Sequence, residues 1–472
     1  MTKNGNSTKN LVYSRKSFWN IATKKEQRVA MKFADEYIDF LDNAKTARET
    51  VDFVEKELEK KDYFDLTKYS GKKKVYRINY GKSMAIAKIG TSPVSEGVNI
   101  VAAHVDAPRV DLKQNPICQD KETALALGRT HYYGGIKKYQ WLSTPLALHG
   151  VVITNEGETV KICIGEKNDD PIFVIPDLLP HLSGKIQGGK KIGEAVTPEN
   201  MHVVIASMPL SEKEAEDLAD PVKLTVLKYL YDKYGITEEN LFSAELELVP
   251  AGKARDCGID KSMVLGYGQD DRICSYTSVR AIFDTMDNEK TAVVLLVDKE
   301  EVGSEGNTGA NSVFLKDFIG DLLKYNGEEY DSYNLRKTLV KSQILSADVN
   351  AAINPNFPSV HEAANAVHLG FGVSLTKYTG SRGKAGCNDA NPEFMAKLMR
   401  IFNEEKVNWQ IGSLGKVDEG GGGTIAKFLA ELGAEVIDCG TGLLGMHSLY
   451  ELCSKADLYS TYRAYKAFFV KG

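Results

Sequence analysis

The 472-residue sequence predicts an α/β protein with a largely parallel sheet, interrupted by a β-rich insert. Two changes of texture carry that prediction. After about residue 256, apolar runs alternate with helical segments, the pattern left by strands laid parallel through crossover helices. Between residues 108 and 255 the chain breaks instead into short strand-like runs, "LALHGVVIT", "TVKICIG", "MHVVIASM" and "AELELVPAG", parted by Gly, Asn and Pro turns. That middle stretch reads as an all-β or α+β unit. Residues 1–107 and 256–472 then form the two parts of one α/β domain, with 108–255 inserted between them.

Taken in order, the elements have local reasons. From Thr23 to about residue 61 the pattern is helical: Thr23 with Glu26, and Thr46 with Glu49, each make a capping box, and Val51, Val54 and Leu58 recur at helical spacing. "VNIVAAHVDAP" at 98–108 is a short apolar strand that runs into His104 and Asp106. Beyond the insert the spacing predicts helices near 271–286, 391–404, 424–432 and 449–469, and strands at 291–297, 343–347, 407–412 and 434–439.

Composition excludes several classes. With 43% hydrophobic and 26% charged residues the chain is globular, and a net charge of -5 argues against a nucleic-acid partner. The "KKK" run at 72–74 reads as solvated surface. Seven cysteines, Cys118, Cys163, Cys257, Cys274, Cys387, Cys439 and Cys453, form no CxxC and predict reduced thiols in the cytoplasm. The opening stretch lacks a leader's apolar core, and no apolar run is long enough for a membrane span.

Chemistry enters where the apolar segments end, since ligands of open α/β sheets bind beyond the carboxyl ends of strands. "IVAAHVD" ends in His104 and Asp106, "GYGQDD" in Asp270 and Asp271, and "VVLLVDKEE" in Glu300 and Glu301. "SQILSAD" ends in Asp348, and "VIDCGTGLLGMHS" carries His447. Singly each has a bland reading: Asp270 as a helix cap, Asp348 as a turn residue, a histidine as an ordinary hydrogen-bonding group. Five such endings on one sheet argue for a site. A mixed His and carboxylate set without thiolate suits catalytic zinc, with manganese or cobalt as substitutes, and its size suits two ions. The chemistry implied is hydrolysis of an amide or ester.

"HVDAP", "GQDDR", "DKEEVGSEG", "SADVNAAINPNF" and "GMHS", in that order, closely resemble the aspartyl aminopeptidase and vacuolar aminopeptidase family of co-catalytic zinc peptidases. The resemblance implies a three-layer proteolytic domain interrupted by a dimerisation domain, and a metallo-aminopeptidase that releases acidic or neutral N-terminal residues from peptides. It implies that His104 and Asp348 hold one Zn2+, that Glu301 and His447 hold the other, and that Asp270 bridges them. Asp106 would orient His104, and Glu300 would be the general base. Lys377, in "GVSLTKYTG", matches a lysine that meets an acidic substrate side chain; His181, in "IPDLLPHL", matches a histidine that reaches a neighbouring subunit's site. The resemblance also implies a homo-oligomer, a tetrahedral dodecamer built from dimers.

The rival readings are another co-catalytic metallohydrolase, such as a carboxypeptidase or a deacylase of N-acyl amino acids, and an inactive shell-forming scaffold. The first two need a cation for the substrate's α-carboxylate, and Arg109 and Arg272 are the only arginines in the motifs.

Overall fold

Both predicted capping boxes are made. The Thr23 side chain accepts from the Glu26 amide and the Glu26 carboxylate accepts from the Thr23 amide, and Thr46 and Glu49 do the same, which starts the helices Lys24–Asn43 and Ala47–Lys60. A computed structural model describes residues 11–215, 218–286 and 288–472, so the opening stretch read as lacking a leader lies partly outside the described residues.

Among the described residues the principal sheet has nine strands. Its centre is four neighbouring parallel strands, Ala292–Val297, Asn99–His104, Gln343–Ser346 and Glu435–Gly440. Antiparallel neighbours flank this block, Ser83–Lys88 on one side and Val373–Thr376 on the other. The two strands 99–104 and 292–297 are buried throughout. Alternate residues therefore serve opposite faces. Val101, Ala103, Val294 and Leu296 pack with Leu398, Leu458 and Phe468, whereas Ile100, Ala102, Val293 and Leu295 pack with Phe318, Ile319 and Leu429. The result is three layers, helix on sheet on helix, each buried large side chain contributing about 1.5–3 kcal/mol.

The insert supplies a six-stranded antiparallel sheet drawn from residues 109–250 and a core of its own. Against this sheet packs the helix Pro221–Tyr234, which the strand-like texture of the segment concealed. A third sheet of five short strands includes Met263–Gly266, Glu451–Ser454 and Gly442–Leu444.

That third sheet corrects one predicted element. The stretch 449–469, read as a single helix, is the strand Glu451–Ser454 followed by the helix Lys455–Lys471, whose first turn Ser454 caps. Pairing with Met263–Gly266, almost two hundred residues earlier, outweighs local preference there. The hairpin Lys74–Asn79/Ser83–Lys88 and the helices Phe314–Tyr325 and Ser332–Val340 also escaped the sequence reading. Among the described residues no helix is long and apolar enough to cross a membrane, and all seven cysteines are free thiols.

Candidate active site

Three adjacent parallel strands bring their carboxyl ends to one edge of the principal sheet. His104 ends the middle strand, Asp348 lies two residues beyond Gln343–Ser346, and Glu300 and Glu301 follow Ala292–Val297. Lys299 (φ 67) and Gly303 (φ 100) flank the short turn Glu300–Val302 in left-handed conformations. The chain thus turns sharply beyond the strand, and adjacent carboxylates are freed from the strand rule that would send them to opposite faces.

The expectation that five endings share one sheet is corrected. Asp270 follows Met263–Gly266, and His447 (φ 63) lies in the turn between Gly442–Leu444 and Glu451–Ser454, so two of the five arrive from the five-stranded sheet. Their backbones are tied together by Glu451, which accepts the Asp270 amide at 3.0 Å and the His447 amide at 2.8 Å. Sequence reasoning missed Glu451; its one signal was a glutamate four residues after His447.

The two sets converge. The Asp270 side chain does not serve as a helix cap: each of its carboxylate oxygens faces a different histidine. Oδ1 lies 3.2 Å from His104 Nε2 and Oδ2 lies 3.2 Å from His447 Nε2. His104 Nε2 is also 3.9 Å from Asp348 Oδ1, and His447 Nε2 is 3.4 Å from Glu301 Oε2. Two triplets result, His104–Asp270–Asp348 and Asp270–Glu301–His447, each with its candidate ligand atoms within 4.8 Å of one another. A third group, His104–Glu300–Glu301, meets the same limit. Asp271 stands behind, where its carboxylate accepts the His104 amide at 3.3 Å.

Asp106 organises this edge. Its Oδ1 accepts the Glu300 amide at 3.1 Å and its Oδ2 accepts the Glu301 amide at 3.2 Å and the Tyr133 hydroxyl at 2.8 Å. His104 Nδ1 lies 3.3 Å from Oδ1 and 3.1 Å from the Asp106 carbonyl. His447 Nδ1 is likewise 3.1 Å from a carbonyl, that of Gly135. Each Nδ1 thus has an acceptor for a ring proton, and each Nε2 faces the carboxylates, where it would offer its lone pair to a bound metal.

Electrostatics point the same way. Burial pushes Glu300 up to about 7, with His104 opposing and Asp270 and Asp106 reinforcing. Glu301 and Asp348 are driven well above the usual carboxylate range, first by burial and then by neighbouring carboxylates. Crowded buried carboxylates are costly unless a cation holds them. Glu301 Oε1 is buried with no hydrogen-bond partner among the described residues, as a donor atom awaiting a metal would be. Two imidazole nitrogens with three carboxylates are donors that zinc accepts.

Residues 40–469 match the family described as aminopeptidase I zinc metalloprotease (M18). The chain belongs to the M18 family of zinc aminopeptidases. It is 48% identical over 460 residues to a probable M18 family aminopeptidase 1 of Clostridium acetobutylicum, covering 96% of this chain and 97% of that one. A Thermotoga maritima relative of the same description is 46% identical, covering 97% and 99%. The crystal structure of a Thermotoga maritima M18 aminopeptidase superposes with a TM-score of 0.92 at 45% identity, covering 98% of this chain and 100% of that one. A yeast mApe1 dodecamer, 23% identical over 93% of this chain and 96% of that one, shares the fold with a TM-score of 0.74. This M18 aminopeptidase is therefore a zinc-dependent peptide hydrolase.

Two predicted residues stay outside the cluster. In this M18 aminopeptidase Lys377 follows the strand Val373–Thr376 and pairs with Asp389 Oδ1 at 2.9 Å, an aspartate that also takes Lys384. His181 lies in the exposed helix Pro180–Ile186 of the insert. Arg272 is buried, its guanidinium donating to the carbonyls of Tyr267, Gly268 and Lys45. Arg109 is buried against Asp111 and Glu247.

Proposed function

We propose that this M18 aminopeptidase releases acidic or neutral N-terminal residues from peptides with a pair of zinc ions. His104 and Asp348 would hold one ion, Glu301 and His447 the other, and Asp270 would give one carboxylate oxygen to each. The observation that carries this reading is the pair of ligand triplets sharing Asp270. When bound, such a pair supplies Lewis-acid chemistry, polarising the scissile carbonyl and acidifying water; manganese or cobalt can take the same donors.

The protein's own residues do the rest. Glu300 takes the proton of the attacking water and delivers it to the departing amine, the two directions of proton transfer that a positioned carboxyl can serve. Asp106 holds the two amides that set the direction of the glutamate pair. An aminopeptidase needs no cation for a substrate α-carboxylate, and the two arginines that a carboxypeptidase or N-acyl deacylase would use are both committed elsewhere. Lys377 is the cation offered to an acidic side chain, which must compete for it with Asp389.

The insert is the proposed dimerisation domain, within residues 108–255, and His181 the residue reaching a neighbouring site. Exposed Ile172, Leu178, Leu179, Leu182, Ile186 and Ile192 around His181 support a surface that another subunit covers. The proposed assembly is a tetrahedral dodecamer, as the yeast relative is a dodecamer. Free thiols suit the cytoplasm.

Turnover of a panel of aminoacyl chromogenic substrates, with zinc counted per chain, tests the reading. Activity falls with chelator and returns with zinc, two ions bind per chain, and Glu300→Gln loses about 10²–10⁴-fold in kcat while keeping its metal. Activity confined to N-acyl amino acids, or full activity in Glu300→Gln, overturns it.

A further inference from the structure

We infer that residues 133–135 of the insert form a positioning arm for the active site, with Tyr133 as its principal positioning residue. The inference rests on the roles proposed above for Asp106, Glu300 and Glu301. Three consecutive residues at the end of the strand Ala126–Tyr133 each touch a different part of the site. The Tyr133 hydroxyl donates to Asp106 Oδ2 at 2.8 Å. A side chain begun at Gly134 would meet Glu301 Cβ at 3.2 Å and Glu301 Oε2 at 3.4 Å, and φ at Gly134 is +71°. The Gly135 carbonyl lies 3.1 Å from His447 Nδ1, where it accepts that ring proton. The pair of glycines lets the backbone itself close over the glutamate and the histidine.

Asp106 is the lever through which Tyr133 acts. This carboxylate is fully buried, so no bulk water replaces a missing donor, and its two oxygens also carry the Glu300 and Glu301 amides. Fixing the carboxylate plane therefore fixes where both glutamates begin. The phenol is itself held. Arg109, the cross-strand partner of Tyr133, places its guanidinium carbon 3.7 Å from the ring centroid. Asp111 Oδ1 at 2.7 Å and Glu247 Oε2 at 3.0 Å hold Arg109 in turn, from the same strand and the next one in the sheet. A stacked, ion-paired stem from the insert's own sheet thus ends on the carboxylate that orients the catalytic turn. Loss of such an outer hydrogen bond commonly costs about 10- to 100-fold in activity or metal affinity.

The test compares Tyr133→Phe, which keeps the ring under Arg109 and removes the hydroxyl, with Tyr133→Leu, which removes both, in the full-length zinc enzyme. Expected for Tyr133→Phe is a fall of about 10- to 100-fold in kcat with KM within about twofold, and zinc bound about tenfold more weakly in competition with a chromophoric chelator. Tyr133→Leu should match the Phe variant in kcat and lose more thermal stability. Wild-type kcat and zinc affinity in Tyr133→Phe, a loss confined to KM, or a kcat loss seen only with Leu would each overturn the arm. Chelator competition needs no turnover, and Glu300→Gln is measured alongside. Full activity in that variant defeats the catalytic reading, whereas a normal Tyr133→Phe beside an inactive Glu300→Gln defeats only the arm.

Discussion

His149 is a single imidazole on which the junction between the N-terminal helices and the insert depends, and its removal should make stability respond differently to pH. It lies on the strand Leu146–Ile153, 2% exposed, with Nδ1 2.7 Å from Glu49 Oε1 and Nε2 3.0 Å from Glu166 Oε1. Lys45 joins the cluster through Glu166 at 2.6 Å and the carbonyl of Gly252 at 2.7 Å. Both ring nitrogens face carboxylates, so the ring is bound as the cation. Burial opposes that charge, but hydrogen bonds to Glu166 and Glu49 outweigh it and push the imidazole up to about 9.

The folded group is raised above its unfolded value of about 6.5, so its contribution is complete below about pH 6.5 and is lost as pH rises through about 9. At about 1.4 kcal/mol per pH unit the full contribution is about 3 kcal/mol, about 2 kcal/mol at pH 7.5, and close to nothing by about pH 10. For a chain of 472 residues, an unfolding entropy of about 2.1 cal/mol/K per residue converts this to about 1 °C per kcal/mol. Scanning calorimetry of wild type and His149→Gln from pH 6 to 10 should show a melting gap of about 3 °C at the acid end that narrows toward pH 10. A gap that stays constant or widens with pH would refute the reasoning.

Two further outcomes are expected. Glu451→Gln leaves one good acceptor for two buried amides, those of Asp270 and His447, and should weaken zinc binding by about 10- to 100-fold in chelator competition. Phe468→Ala empties a fully buried site beside Phe394 and Phe469 beneath the principal sheet, costing about 3–5 kcal/mol, read as a fall of about 3–5 °C in the melting midpoint.

How much could be seen beforehand depended on the range of the forces involved. The capping boxes of Thr23 and Thr46 were legible because each closes within three residues. The strands before His104 and Glu300 were legible because strands buried on both faces are continuously apolar. The hairpin Lys74–Asn79/Ser83–Lys88 was less so, since its charged and polar residues interrupt the apolar run, although Tyr80 and Gly81 turn through left-handed φ values of 51° and 66°. Glu451–Ser454 looked helical because nothing local names its distant partner. Tyr133, Gly135 and Glu451 carry no motif of their own, and their importance is a matter of what lies opposite them.

By itself the sequence determined the α/β class, the presence of an insert, and the residues His104, Asp106, Asp270, Glu300, Glu301, Asp348 and His447 as the ones to watch. Those follow from periodicity and from reactive side chains placed where apolar segments end. Only the tertiary structure decided that Asp270 rather than Asp271 faces both histidines, that two of the candidate ligands come from a second sheet, and that the insert reaches Asp106 through Tyr133. Local periodicity says which residues begin a strand or a turn; which turns meet is set by pairing and packing between segments far apart in the chain, and those contacts leave no local pattern to read.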